Sequence, residues 1–289
     1  MNETTAKSSS VLESPWLFFA VVFGWTWLFW LSAAFLGLGM ESGGVILLLL
    51  GISGPTIAGI AFTYLTKDKA GRREYWTRVI SFKRIPARWY LVILLLPLIM
   101  NLVAAGLDRL FGGVGTTWGE LALNIVSSPL SVLPSILFFT LIPFLEELGW
   151  RHVLDRLQVK YTALVSSLIL GVLWSIWHFP LFLVPDTYQS GLGIWSLAFW
   201  LFMVGIVPLT FVVTWIYNNT RASILAVILF HAVINFSGEM LAITQRADTI
   251  FTGLWFVAAA VVVLLWGPRT MTGRVSLWGE SEAVLLRSE

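Results

Sequence analysis

Long apolar stretches separated by short polar segments dominate the pattern of this chain. Crossing the hydrocarbon core of a bilayer takes about 20 mainly apolar residues in a helix. By that measure the sequence contains eight candidate spans, at residues 16–39, 44–66, 89–107, 132–153, 162–183, 194–217, 222–240 and 250–267. Because a span must satisfy its own backbone hydrogen bonds inside lipid, the pattern predicts an all-α fold, a polytopic membrane helical bundle of eight transmembrane helices.

The composition indicates that the bilayer is the solvent for most side chains. Of the 289 residues, 57% are hydrophobic and 12% are charged, and the mean hydropathy is +0.83. These values leave too little polar surface for a water-soluble globule. The chain has no cysteine, which excludes a disulfide framework, a thiolate nucleophile and a cysteine-based metal site. We expect a single integral membrane domain, 1–289, with polar tails at 1–15 and 268–289.

Basic residues are distributed unequally between the two sides of the predicted bundle. If the N-terminus is cytoplasmic, only Arg109 and Arg246 of the 18 Lys and Arg residues fall on the opposite side. Cytoplasmic loops carry an excess of these residues, so both termini are predicted to be cytoplasmic. We expect a multi-pass protein of the cell membrane, with a bacterial inner membrane as the working assumption. The formal charge of only +2 gives no reason to expect a nucleic-acid partner.

Two adjacent acids occur inside the fourth span, where an ionisable side chain costs at least roughly 2.5–3.5 kcal/mol on insertion scales and usually serves a function. Glu146 and Glu147 follow Pro143, whose missing N–H can kink the helix and admit water. Glu147 and Arg151 are spaced i,i+4 with the acid first, the favourable order for a helical ion pair. That pairing leaves Glu146 available as a base, an acid or a metal ligand.

Two of the three histidines also lie in the middle of predicted spans, whereas His152 lies at the end of one. Trp174 and His178 are four residues apart in the fifth span, and His231 and Asn235 are four residues apart in the seventh. Each pair therefore shares one helix face. His and Asn also join neighbouring membrane helices by ordinary hydrogen bonds, which would explain either pair taken alone. Their occurrence in one bundle with two adjacent acids favours a functional site.

These side chains suit two kinds of hydrolytic chemistry. A carboxylate and a histidine facing a water-filled cavity can deprotonate water for attack on a carbonyl group, while His and Asn donate hydrogen bonds to the developing oxyanion. Alternatively, Glu146, His178 and His231 have the composition of a catalytic zinc site with one position open for water. The absence of a His-Glu-x-x-His run counts against zinc, but the spacing leaves both kinds open.

Three motifs resemble those of the CPBP family of intramembrane proteases, the CAAX prenyl endopeptidase and bacteriocin-processing group. In family order, the matching positions are Glu146-Glu147-x-x-x-Arg151, Trp174-x-x-x-His178 and His231-x-x-x-Asn235. The resemblance covers residues 133–238, which we take as the protease motif core. The one departure is Trp174, where the family usually has Phe. This change is conservative and is expected to alter the shape of the cavity rather than catalysis.

The resemblance implies an endopeptidase that hydrolyses peptide bonds of protein substrates. It implies that Glu146 and His178 activate water. It also implies that the ion pair of Glu147 with Arg151 supports the site. It also implies that His231 and Asn235 form the oxyanion hole. A glutamate-type mechanism without a cofactor is favoured over a zinc metalloprotease, which stays the alternative.

The partners expected from this resemblance are a protein or peptide substrate, reaching the site from the cytoplasmic face or from the lipid, and the membrane lipids themselves. Two hypotheses of other classes remain. The first is a non-catalytic scaffold or immunity-type protein that retains the family core. The second is a proton-coupled transporter in which the two adjacent acids relay protons.

The predicted spans place the site residues at unequal depths. Counted from the predicted cytoplasmic ends at 1.5 Å per residue, Glu146 lies roughly 10 Å deep, His231 roughly 12 Å, but His178 over about 20 Å. These residues cannot share one water molecule in that arrangement. Either the fifth span is strongly tilted or it starts near Leu168, after an amphipathic connector at 152–162. We predict the later start, because the apolar run continues to Val184.

Overall fold

The computed structural model describes residues 11–128, 130 and 132–272 of the chain. Helices α1 to α12, in chain order, are Pro15–Leu36, Val45–Ile52, Gly54–Thr66, Lys69–Ile80, Ala87–Leu110, Glu120–Ser127, Val132–Lys160, Ala163–Trp177, Tyr188–Leu192, Leu197–Asn219, Ile224–Met240 and Gln245–Trp266. A short 3₁₀ helix, Phe179–Leu183, follows α8. Two short strands, β1 (Thr116–Trp118) and β2 (Leu241–Ile243), pair antiparallel.

Eight apolar helical segments in the described part correspond one for one to the predicted spans. Within the described residues, seven segments are long and apolar enough to cross a membrane, and α11 is a shorter apolar helix of 17 residues. The predicted all-α polytopic membrane bundle is therefore confirmed. The cytoplasmic location of both termini stays a prediction, as does the division of the chain into a core and two tails. Residues 1–10 and 273–289 of those tails lie outside the described part.

The second span is made of two helices, α2 and α3, because a proline interrupts it. Pro55 has no N–H to donate to the carbonyl oxygen of Gly51. The hydroxyl of Thr26, on α1, donates to that oxygen at 2.8 Å instead. A neighbouring helix thus satisfies the backbone group that the interruption leaves unpaired, as apolar surroundings require.

Helix α3 packs directly on the turn of α7 that carries the two adjacent acids. The Thr56 hydroxyl donates to the Leu145 carbonyl oxygen at 2.7 Å. A Cβ atom added at Gly149 would lie 2.2 Å from the carbonyl oxygen of Pro55, and one added at Gly59 would lie 2.7 Å from a backbone oxygen of α7. The two backbones can approach this closely only because both positions are glycine.

Substitution of Gly149 by Ala is expected to destabilise the bundle by about 1–3 kcal/mol, because the added methyl group overlaps the backbone of α3. The matched control is Gly253→Ala on α12, where an added Cβ meets no atom within 4 Å. Thermal unfolding of the purified variants in detergent measures the difference. Equal melting temperatures for Gly149→Ala and the parent would contradict the close approach.

The predicted end of the fourth span at residue 153 is wrong. Helix α7 continues to Lys160, and α8 begins at Ala163, so the connector at 152–162 and the later start near Leu168 are also wrong. Charged residues after 153 resemble a loop in the sequence, but they have partners on other helices. The Tyr217 hydroxyl, for example, donates to Asp155 at 2.8 Å.

The longer α7 removes the difference in depth between Glu146 and His178. Glu146 lies fourteen residues before Lys160, roughly 21 Å along the helix, and His178 lies fifteen residues after Ala163, roughly 22 Å. Because α7 and α8 are antiparallel neighbours joined by a short turn, these equal distances bring the two side chains to the same level. The apparent mismatch came from ending the fourth span too early.

Helix α4 ties α7 to the start of α11 at the end of the bundle nearest to that turn. The Arg78 side chain donates to Asp155 at 2.8 Å and to the carbonyl oxygen of Ala222 at 2.8 Å. The Tyr75 hydroxyl donates to the Leu148 carbonyl oxygen at 3.1 Å. Burial raises the pKa of Tyr75 above its ordinary value, so the hydroxyl stays a donor at any physiological pH. These bonds fix the relative position of the two helices that carry the acids and His231.

Candidate active site

The two acids occur where α7 becomes fully enclosed by its neighbours. Arg151 Nε donates to Glu147 Oε2 at 2.8 Å, and both side chains are 0% exposed. The ion pair predicted from the i,i+4 spacing is therefore confirmed. The guanidinium also lies over the ring of Tyr217, 5.9 Å from its centroid.

The other oxygen of Glu147 binds a histidine, which the sequence did not predict. His231 Nδ1 lies 2.9 Å from Glu147 Oε1, so the carboxylate bridges Arg151 on its own helix and His231 on α11. A carboxylate oxygen can only accept, so Nδ1 of His231 carries the hydrogen. This bond directs Nε2, the opposite ring nitrogen, away from Glu147.

Glu146 is held by tryptophans rather than by a cation. The Trp174 indole N–H donates to Glu146 Oε2 at 2.8 Å, and the Trp150 indole N–H lies 3.4 Å from the same oxygen. No residue of the described part hydrogen-bonds to the other carboxylate oxygen, Oε1. The carboxylate is thus anchored through one oxygen and unpartnered at the other, although the residue as a whole is only 3% exposed.

His178 lies at the end of α8, where the chain passes into the 3₁₀ helix. Its Nδ1 is 2.8 Å from the Trp174 carbonyl oxygen, which can only accept, so Nδ1 carries the hydrogen. In neutral imidazole this leaves a lone pair on Nε2. Among the described residues, none hydrogen-bonds to that nitrogen.

Trp174 lies between the two histidines. Its ring centroid is 6.1 Å from that of His178 and 5.5 Å from that of His231. Together with the bond to Glu146, these contacts bring three predicted site residues from α7, α8 and α11 around one indole ring.

Asn235, the fourth of the residues predicted to be catalytic, lies one turn beyond His231 on α11 and is partly exposed. Its side-chain amide makes no hydrogen bond with any residue of the described part. The amide is therefore available as a hydrogen-bond donor.

Two further tryptophans form the wall of the site and were missed in the sequence. Trp150 and Trp177 contact each other at 5.4 Å between centroids, and Trp177 contacts His178 at 4.8 Å. Tryptophan is frequent at span ends in this chain, so only their adjacency to Arg151 and His178 could have singled them out. Such walls limit the water that reaches the polar atoms, which strengthens electrostatic interactions between them.

The zinc alternative requires three protein ligands to meet at one point. Across residues 11–128, 130 and 132–272, no three His, Asp or Glu side chains are grouped so that they could hold a metal ion. Glu146 Oε2 already accepts from indole N–H groups. The choice between a glutamate-type and a zinc mechanism stays a prediction.

Two comparisons with known proteins agree with the motifs. A family model described as "Rce1-like: Type II CAAX prenyl endopeptidase Rce1-like" matches residues 128–237, a range that contains every site residue described above. CAAX prenyl protease 2 of Methanococcus maripaludis is 31% identical over 260 residues, which cover 89% of this chain and 95% of the relative. With its apolar helical passes, this chain is a multi-pass membrane protein and belongs to the CAAX prenyl protease family of intramembrane endopeptidases.

Proposed function

We propose that this chain hydrolyses peptide bonds with a water molecule activated by Glu146 and His178, without a metal ion. The observation that carries the proposal is the asymmetric carboxylate of Glu146, bonded to Trp174 at one oxygen and unpartnered at the other. A base must present a free lone pair at a fixed position. Glu146 Oε1 meets that requirement, and His178 at the same depth supplies a second acceptor, Nε2.

In the first step, water lies between Glu146 Oε1 and His178 Nε2. Glu146 takes one proton of the water, while Nε2 accepts a hydrogen bond from the other and orients the oxygen. The oxygen then forms a bond to the carbonyl carbon of the substrate, and the carbonyl π electrons move to the carbonyl oxygen. This step forms a tetrahedral oxyanion, which is the species that the site must stabilise.

His231 and Asn235 are the donors for this oxyanion. Because Nδ1–H of His231 already donates to Glu147, Nε2 can donate only if the ring is an imidazolium. The neighbouring charges favour that form: the carboxylates of Glu146 and Glu147 balance the imidazolium and the guanidinium of Arg151. Glu147 therefore has a positioning role, since it sets the direction in which His231 donates.

In the last step, the protonated Glu146 returns its proton to the nitrogen of the scissile amide. The carbon–nitrogen bond breaks, the oxyanion electrons reform the carbonyl group, and an acid and an amine leave. Glu146 is then ionised again and binds the next water. One carboxyl group thus serves as base and then as acid within a single cycle.

We propose a membrane-associated protein or peptide as the substrate, reaching the site from the cytoplasmic face or from the lipid. The relative is named a CAAX prenyl protease, so a prenylated peptide with a C-terminal CAAX sequence is the first probe. Cations in the segment 67–88 suit contact with anionic lipids on the cytoplasmic side of the cell membrane. A bacterial inner membrane stays our working assumption.

The test uses the purified full-length chain in liposomes with a farnesylated, internally quenched CAAX peptide. We expect a fluorescence increase from cleavage, confirmed by mass spectrometry of the products. The rate should be unchanged after treatment with EDTA or 1,10-phenanthroline, because no step uses a metal. Loss of cleavage on chelation, restored by zinc, would overturn the metal-free mechanism.

Other outcomes of the same system favour the other two hypotheses. A chain that cleaves nothing, and whose cellular phenotype survives Glu146→Ala and His231→Ala, would be a scaffold. Substrate-dependent proton flux across the liposome membrane without cleavage would indicate a transporter.

A further inference from the structure

We propose that Trp174 is a positioning residue that holds both groups of the water-activating pair, Glu146 through its indole and His178 through its backbone. The inference rests on the function proposed above and adds a residue that the motif comparison treats as a neutral departure. It also revises the expectation that a Trp at this position changes only the shape of the cavity.

The indole bond is the main anchor of the Glu146 carboxylate. At 2.8 Å, Trp174 Nε1 lies within the normal range for an N–H···O hydrogen bond, whereas Trp150 at 3.4 Å is beyond it. Trp174 is 2% exposed, so water cannot readily replace this donor. Without it, Oε2 would keep only the long contact to Trp150, and the carboxylate could rotate.

The backbone of the same residue determines the tautomer of His178. The Trp174 carbonyl oxygen accepts from Nδ1–H at 2.8 Å and leaves Nε2 as the acceptor. One residue therefore sets the positions of Glu146 Oε1 and His178 Nε2 relative to each other. The two atoms must bind the same water, and a displacement of about 1 Å in such a geometry can reduce a rate by about 100-fold.

The Phe that usually occupies this position in the family could reproduce only part of this arrangement. Its backbone carbonyl could still accept from His178, and its ring could still pack between the two histidines. A phenyl ring has no N–H group, however, and could not donate to Glu146. In this chain the water-activating carboxylate is thus held by a donor that the usual motif residue lacks.

The experiment compares Trp174→Phe with the parent in liposomes, using the farnesylated CAAX peptide. We expect kcat to fall roughly 10- to 100-fold, because the base is less well positioned. KM should stay within about twofold, because the substrate does not bind through this indole. The matched control is Trp215→Phe, another buried tryptophan, whose indole N–H has no partner among the described residues. It should leave kcat and KM unchanged.

A second substitution separates the hydrogen bond from ring packing. Benzothienylalanine at position 174, introduced by an expanded genetic code, keeps the shape of the bicyclic ring but replaces N–H with sulfur. We expect the same loss of kcat with an unchanged melting temperature. If this variant has the kcat of the parent, the hydrogen bond has no role and the inference is wrong, whether or not Trp174→Phe folds.

The positioning role and the proposed function fail in different ways. If Glu146→Gln is as active as the parent, the proposed function itself is wrong. If Glu146→Gln is inactive and both Trp174 variants have the kcat of the parent, only the positioning role is wrong.

Discussion

Replacing Glu146 by Gln is expected to reduce peptide cleavage by at least about 10³-fold while the protein stays folded. The amide oxygen of Gln can still accept from the Trp174 indole, so the side chain should keep its position. An amide cannot take a proton from water near neutral pH, so the first step of the cycle loses its base. Cleavage of the farnesylated CAAX peptide in liposomes measures the loss, and thermal unfolding in detergent checks the fold.

The control for this variant is Glu74→Gln, the same chemical change on α4. Glu74 forms an ion pair with Arg84 at 2.8 Å and its side chain is 52% exposed, so the change should leave cleavage at the parent rate. If Glu146→Gln cleaves the peptide as fast as Glu74→Gln, Glu146 is not the base.

The helical passes could be predicted from the sequence because bilayer thickness sets their length. Each predicted span overlaps a helix, and most boundaries agree within a few residues. The exception is the end of the fourth span, because α7 continues seven residues beyond the end at 153 that bilayer thickness predicts. Asp155 and Arg156 look like loop residues, but their bonds to Tyr217 and Thr66 keep this part of α7 helical and packed.

The site was predictable as a set of residue types but not as a set of contacts. Glu146, His178 and His231 are conspicuous because charged and polar groups are costly inside a membrane. The bond from His231 to Glu147 joins residues 84 positions apart, and that from Trp174 to Glu146 joins residues 28 positions apart. Helix periodicity relates residues three or four apart. It therefore predicted the Glu147–Arg151 ion pair but neither of the two long-range hydrogen bonds.

The contact of Glu147 with His231 changes the role of the ion pair. A carboxylate bonded only to Arg151 would be neutralised and structural. Because Glu147 also accepts from His231, the Glu147–Arg151 ion pair affects both the stability of the fold and the orientation of an oxyanion donor. Stability and catalysis should therefore respond differently when the charges are removed one at a time or together.

Arg151→Met is expected to destabilise the protein by about 3–5 kcal/mol, because Glu147 is left as a buried charge without its guanidinium. The double variant Glu147→Gln with Arg151→Met should recover to within about 1 kcal/mol of the parent, since no buried charge is then uncompensated. Thermal unfolding in detergent measures both, with Glu74→Gln as the exposed-pair control, expected to change stability by less than about 1 kcal/mol.

Activity should not recover with stability in the double variant. The Glu146 carboxylate still balances a His231 imidazolium in this variant. The amide oxygen introduced at position 147 can accept from His231 Nδ1–H, but a neutral amide holds the imidazolium less firmly than a carboxylate does, so Nε2 is less well placed to donate to the oxyanion. We expect kcat on the CAAX peptide to stay at least about 100-fold below the parent. A double variant that is both stable and fully active would show that the Glu147 charge serves folding alone. A single Arg151→Met variant as stable as the parent would refute the buried ion pair.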